Sequence, residues 1–128
     1  TKAFETALEF NPEKIVILGA TGKREDHTIG NVSLLARYKS QTDATIEMYT
    51  DYGVFTPVKK SSFFHFKPGT QISIFSISDR ARIVSKGLKY PTSEVVFDSW
   101  WKATLNEVEN SPFYLEFERG DIIIFAAY

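Results

Sequence analysis

Ile15-Val16-Ile17-Leu18-Gly19-Ala20-Thr21-Gly22-Lys23-Arg24-Glu25-Asp26-His27 joins an apolar run to a helical pattern that includes Ile29, Leu34 and Leu35. The order strand, glycine-rich turn, helix start is the usual layout of a phosphate site. Glycines let the backbone come close to a ligand, and a helix N-terminus offers free N–H groups and the positive end of its dipole. Arg24 adds a fork of donors matched to phosphate oxygens. Asp26 adds a hard oxygen donor suited to magnesium.

The spacing excludes two common loops. Only Ala20 and Thr21 separate Gly19 from Gly22, and Arg24 follows Lys23, so the loop is not a Walker A motif and a P-loop hydrolase is rejected. It does not read G-x-G-x-x-G either. An ordinary tight turn explains the glycines equally well on local grounds. By the same measure Asp26 is either a metal or catalytic carboxylate or the cap of a helix beginning at His27, and Arg24 is either a phosphate contact or a solvated charge. Asn31, five residues after Asp26, lies on another stripe of the helix. It faces back toward the loop or into solvent.

Working outward, the chain divides near residue 50. In 1–50, Phe4, Ala7, Leu8 and Phe10 suit a helix face ended by Pro12. Ile15–Leu18 is apolar on every side, which predicts a parallel-sheet strand covered on both faces. A helix follows from Asp26 to about Lys39 with Ile29, Val32, Leu35 and Ala36 buried, then a strand over Thr45–Tyr49. This is an α/β fragment, with too few strands for a complete doubly wound sheet.

In 51–128 the period changes to two. Candidate strands are Gly53–Val58, Ser62–Phe66, Thr70–Ser76, Ala81–Ser85, Phe113–Glu118 and Asp121–Ala127, with turns at Lys67-Pro68-Gly69 and Arg119-Gly120. Phe113, Leu115 and Phe117 alternate with Tyr114, Glu116 and Glu118, giving one dry and one wet face. The expected fold is an incomplete parallel sheet with flanking helices followed by an antiparallel β-sandwich. His65, inside a Phe-rich strand, reads as structural. Trp100-Trp101 would point to opposite sides of a strand, so at most one lines a given pocket. Each either fills the core or offers a ring face to a cation or heteroaromatic ring. Asn106 both donates and accepts, which suits an aminopyrimidine edge or a turn.

Composition narrows the partners. The 128 residues carry a net charge of −1, which gives no reason to expect nucleic acid. No apolar run approaches the roughly 20 residues of a membrane span, and no signal-peptide pattern opens the chain. Zero cysteines exclude thiolate metal sites and disulfides, in keeping with a reducing, cytoplasmic setting.

The string Gly19-x-x-Gly22-x-Arg24-x-Asp26-His27-x-x-x-Asn31 resembles the Gly-x-x-Gly-Gly-Arg-x-Asp-His-x-x-x-Asn signature of thiamine pyrophosphokinases. Downstream, Gly87-Leu88-Lys89-Tyr90-Pro91 resembles a second block of that family, and Thr104-Leu105-Asn106-Glu107 stands where many members have Thr-Ser-Asn-Glu. Lys23 replaces a glycine and Leu105 a serine, which puts the loop's freedom and one polar substrate contact in question. The family's acidic Gly-Asp-x-Asp-Ser type motif does not occur, so the chain is expected to be the C-terminal part of a longer enzyme.

The resemblance implies transfer of diphosphate from ATP to thiamine, giving thiamine diphosphate and AMP, with Mg2+. It implies catalytic roles for Arg24 and Asp26, Asp26 being also the metal ligand. Nucleotide binding would fall to Gly19, Gly22, Arg24, His27 and Asn31. Thiamine binding would fall to Trp101, Trp100, Thr104 and Asn106. It also implies a homodimer whose interface holds the active site. The alternative is a non-enzymatic β-sandwich module that binds a vitamin or sugar.

Overall fold

The computed structural model describes residues 1–78 and 80–128. Helix α1 (Lys2–Leu8) leads to β1 (Lys14–Ile17), α2 (Glu25–Lys39), β2 (Thr45–Tyr49) and β3 (Gly53–Val58). Then come β4 (Ser62–Phe64), β5 (Gln71–Ser76), β6 (Val84–Lys86), a 3-10 turn (Trp100–Ala103), β7 (Asn106–Glu107), β8 (Phe113–Glu116) and β9 (Ile122–Ala127).

Two sheets form. The larger has the order β1-β2-β3-β9-β5-β7, and the smaller has the order β4-β8-β6. Among the described residues only β1 and β2 run parallel, with Ile15 beside Ile46 and Ile17 beside Met48. From β2 onward the pairing is antiparallel. The expected fold class therefore holds: a mixed sheet with flanking helices, followed by antiparallel strands that include a second sheet. The two halves of the chain are continuous through the large sheet, because β3 pairs with β2 on one side and β9 on the other.

Each face of the large sheet carries its own core. On one face, Ile72, Ile74, Ile122, Ile124 and Ala126 meet Phe64, Ile83, Phe113 and Leu115 from the small sheet's side. Phe64 and Phe113 stack at 4.8 Å between ring centroids. The alternation over Phe113–Phe117 delivers what it predicted: Phe113, Leu115 and Phe117 are buried and Glu116 is exposed. On the other face, Val32, Leu35 and Ala36 of α2 pack with Ile15, Ile46, Met48 and Ile123. Tyr38 stacks on Phe4 at 4.0 Å and fastens α1 to α2.

Several expectations need correction. The strand at 15–18 is covered on one face only: Val16 is 47 % and Leu18 72 % exposed, because α1 and α2 both pack on the side of Ile15. Phe10 lies beyond the end of α1 and is exposed. Ile29 is 57 % exposed, since it falls in the first turns of α2, ahead of the stretch that reaches the sheet. Trp100 and Trp101 are in a 3-10 turn, not a strand, so the opposite-sides argument does not apply to them. The strand expected over Ala81–Ser85 is β6, Val84–Lys86, and Ala81 makes an isolated bridge to Phe97. His65 lies just past β4, not inside it, and is exposed. The described residues hold no helix long and apolar enough to cross a membrane.

Candidate functional site

The loop between β1 and α2 is set by backbone geometry. Gly19 and Gly22 have φ of +68° and +94°, conformations L side chains rarely adopt. Lys23 is not among the residues with positive φ, so a glycine is not required where it stands. Arg24 is the extended residue before α2, with φ −121° and ψ 128°. Its carbonyl accepts from the Thr28 N–H at 3.0 Å and so opens the helix ladder. The helix thus begins at Glu25, one residue before the sequence suggested, and Asp26 lies inside the first turn instead of capping from outside.

Arg24 and Asp26 face each other. The Arg24 guanidinium donates to the Asp26 carboxylate through Nε at 3.1 Å and an Nη at 2.7 Å. This pairing, helped by backbone N–H groups of His27 and Asp26, holds the Asp26 carboxyl below its ordinary range. A guanidinium has five N–H donors, so the pair leaves Arg24 with donors for an anion. Asn31 does turn back to the loop: its Nδ2 donates to the Ala20 carbonyl at 2.8 Å. His27 is exposed on the first turn of α2.

Across from the loop stands the turn between β2 and β3, which in sequence is only a gap between two strands. Thr50 Oγ1 accepts from the N–H groups of Tyr52 and Gly53, each at 3.1 Å. Tyr128 braces the turn from the C-terminus, donating its N–H to the Tyr52 carbonyl and its hydroxyl to the Thr50 carbonyl. A Cβ added to Gly22 would come within 4.0 Å of Asp51 Oδ2, so the carboxylate and the loop share one cleft. That cleft holds about 530 Å3 between Thr21–Glu25 and Thr50–Tyr52, with Phe55 and Phe125 also lining it.

The expected vitamin-binding segment lies elsewhere on the chain. Thr104, Leu105 and Asn106 line a smaller cavity of about 260 Å3 with Tyr90, Pro91 and Thr92, and neither tryptophan lines it. Asn106 is 4 % exposed, and its Oδ1 accepts from the N–H groups of Tyr90 and Glu107 while Nδ2 donates to the Tyr90 carbonyl. The Gly87–Pro91 and Thr104–Glu107 blocks are thereby stitched to one another. Leu105 takes φ +60°, turning the chain sharply between Thr104 and Asn106. Trp100 donates its Nε1–H to the Ser76 carbonyl and meets Phe75 edge-on, whereas Trp101 is 73 % exposed.

Magnesium finds hard oxygen donors here but no cage. Among the described residues no group of three or more His, Cys, Asp or Glu could hold a metal. An exposed Asp26 beside the glycine loop would fit an ion that takes most of its ligands from phosphates and water.

Two family models match the chain: "Thiamin pyrophosphokinase, catalytic domain" over residues 1–48 and "Thiamin pyrophosphokinase, substrate-binding domain" over 53–125. Among solved structures, a thiamine pyrophosphokinase from Bacillus subtilis is 27 % identical, with a TM-score of 0.83, covering 98 % of this chain and 60 % of its own. One from Geobacillus thermodenitrificans is 25 % identical with a TM-score of 0.81, covering 98 % and 59 %. The enzyme from Candida albicans, at 17 % identity and a TM-score of 0.70 over 90 % and 44 %, shares the fold. No curated protein matches the chain. The chain spans about 60 % of the length of the Bacillus structure. With the glycine loop, the Arg24–Asp26 pair and both matched models in one continuous fold, the chain belongs to the thiamin pyrophosphokinase family.

Proposed function

We propose that the chain contributes to thiamine diphosphokinase activity, moving the terminal diphosphate of ATP to the hydroxyethyl oxygen of thiamine to give thiamine diphosphate and AMP. The observation that carries this reading is the Arg24–Asp26 pair on the first turn of α2, beside two glycines of positive φ. The thiamine oxygen bonds to the β-phosphorus and its hydroxyl proton passes to solvent, the bond from that phosphorus to the oxygen shared with the α-phosphorus breaks, and AMP departs with that oxygen. Positioning and electrostatics supply most of the acceleration.

In this reading the backbone at Gly19 and Gly22 and the N-terminus of α2 receive phosphate, and the remaining donors of Arg24 neutralise charge developing on its oxygens. His27 lies beside them, and Asn31 holds the loop in place. Asp26 would hold magnesium, which when bound offsets phosphate charge. Its two hydrogen bonds from Arg24 leave carboxylate lone pairs for a ligating or orienting role. Trp101, Trp100, Thr104 and Asn106 are proposed for thiamine, with a homodimer bringing segments together and a cytoplasmic setting supplying ATP.

The test is to titrate thiamine and ATP with magnesium into the folded chain by calorimetry, and to follow AMP release. Binding of both substrates, lost for ATP in Asp26→Asn at an unchanged melting curve, supports the reading. Thiamine binding without any nucleotide binding would favour the non-enzymatic module instead.

A further inference from the structure

The cleft beside the glycine loop has a floor that phosphate binding does not use. Phe55 and Phe125 are direct cross-strand partners with ring centroids 4.6 Å apart. They lie on the same face of the large sheet as α2, just past the part of that face the helix covers, and both are half-buried. Phe55 leads on to Phe75 at 6.4 Å, and Phe75 to Trp100 at 6.1 Å. Gly53 makes the close packing possible, because a Cβ there would come within 2.3 Å of the Ala126 carbonyl oxygen and 2.6 Å of Phe125 Cζ. Tyr52 flanks the floor and Asp51 stands at its polar lip, on a turn braced by Thr50 and Tyr128.

We infer that this cleft seats the base of the donor nucleotide, with Phe55 and Phe125 beneath the ring, Tyr52 at its side and the Asp51 carboxylate accepting from an exocyclic amino group. The inference rests on the function proposed above. The cleft is continuous with Thr21–Arg24, so its occupant is a ring tethered to phosphate. Of the two substrates, only the nucleotide carries phosphate when it binds. Half-exposed aromatic floors favour flat rings through stacking. An ionised carboxylate only accepts, which selects a base with an amino group over one with a carbonyl in the same place. Phe55 and Phe125 thus belong to the segment matched to the substrate-binding model, Asp51 and Tyr52 lie just ahead of it, and the phosphates are held by the segment matched to the catalytic one.

Calorimetric titration of the 128-residue chain with magnesium and, in turn, inorganic pyrophosphate, ADP, IDP and thiamine tests this. ADP is expected to bind at least tenfold more tightly than pyrophosphate. It is also expected to exceed IDP by on the order of tenfold, the value of a hydrogen bond to a charged group. Asp51→Asn removes the preference for ADP over IDP and leaves pyrophosphate affinity alone. Tyr52→Ala and Phe125→Leu each lower ADP affinity by roughly three- to tenfold, the first at an exposed turn where folding is not at stake. If ADP binds no better than pyrophosphate, or Asp51→Asn and Tyr52→Ala weaken only thiamine, the assignment of the base is overturned while the proposed function survives. If pyrophosphate, ADP and thiamine all fail to bind the folded chain, both fall together.

Discussion

Asn31 reaches back eleven residues to hydrogen-bond the Ala20 carbonyl at 2.8 Å, so the second turn of α2 holds the loop that its first turn follows. Asn31 and Asp26 divide the work of one helix: the first anchors the loop and the second faces its mouth, paired to Arg24. The coupling explains how a loop with two left-handed glycines keeps one shape.

Replacing Asn31 by Leu should therefore loosen the loop more than the helix. A net loss of about 1 kcal/mol of stability is expected for the missing hydrogen bond. Pyrophosphate affinity should drop several-fold, with helix content by circular dichroism unchanged. Unaltered pyrophosphate binding would show that the tether does not shape the site.

Gly22→Ala and Lys23→Gly should both destabilise, the first through strain in the folded loop and the second through the unfolded chain. Gly22→Ala forces a Cβ into φ +94° and is expected to cost about 1–2 kcal/mol. Lys23→Gly restores the family's usual residue at a position that needs no positive φ, so it removes no strain. It should lower stability by roughly 0.4–1 kcal/mol through the unfolded chain's added freedom. Urea melts of both variants check the contrast, and a stabilising Lys23→Gly would contradict it.

Lys14 and Glu47 are bridged at 2.8 Å across β1 and β2, and Tyr49 donates its hydroxyl to the same carboxylate. Partial burial works against the Glu47 charge, but the bonds from Lys14 and Tyr49 outweigh it and bring the carboxyl below its usual 4.5. The Glu47 hydrogen bond raises Lys14 above its usual 10.5. A lowered acid stabilises above its usual value, and that contribution fades as pH falls through the folded one. A raised base stabilises below its usual value until pH climbs through the folded one. The bridge thus operates fully between about pH 4.5 and 10.5. Lys14→Met should lower Tm at pH 7, and the gap to wild type should close on acidification. A gap that persists in strong acid would assign the loss to packing.

The adjacent tryptophans should separate cleanly. Trp100 is tied to Ser76 and Phe75, so Trp100→Ala should cost roughly 1–2 kcal/mol of stability, while exposed Trp101→Ala stays within about 0.5. For thiamine, Trp101→Ala should weaken binding by up to about tenfold if its ring forms the wall of the vitamin site. Calorimetry on Trp100→Ala, Trp101→Ala and Asn106→Ala decides among them. No change in any of the three would move the vitamin site off this segment.

What the sequence determined by itself was local or periodic. Glycines at 19 and 22, the acidic first turn of α2 and the two-residue alternation from Phe113 are written in neighbouring residues, because backbone sterics and the pleat act over a few positions. The family signature around Arg24 and Asp26 was legible for the same reason. Tertiary structure alone decided which faces are covered. Val16 and Leu18 look as apolar as Ile15, yet α1 and α2 pack on the side of Ile15 only. It alone decided that Trp100 is anchored while Trp101 is not, since the Ser76 carbonyl that accepts the Trp100 Nε1–H lies far from it in sequence. The turn at Thr50–Gly53 reads locally as a gap between two strands. It becomes one wall of a cleft only because β9 returns beside β3 and brings Phe125 next to Phe55, a pairing across seventy residues that no local pattern encodes.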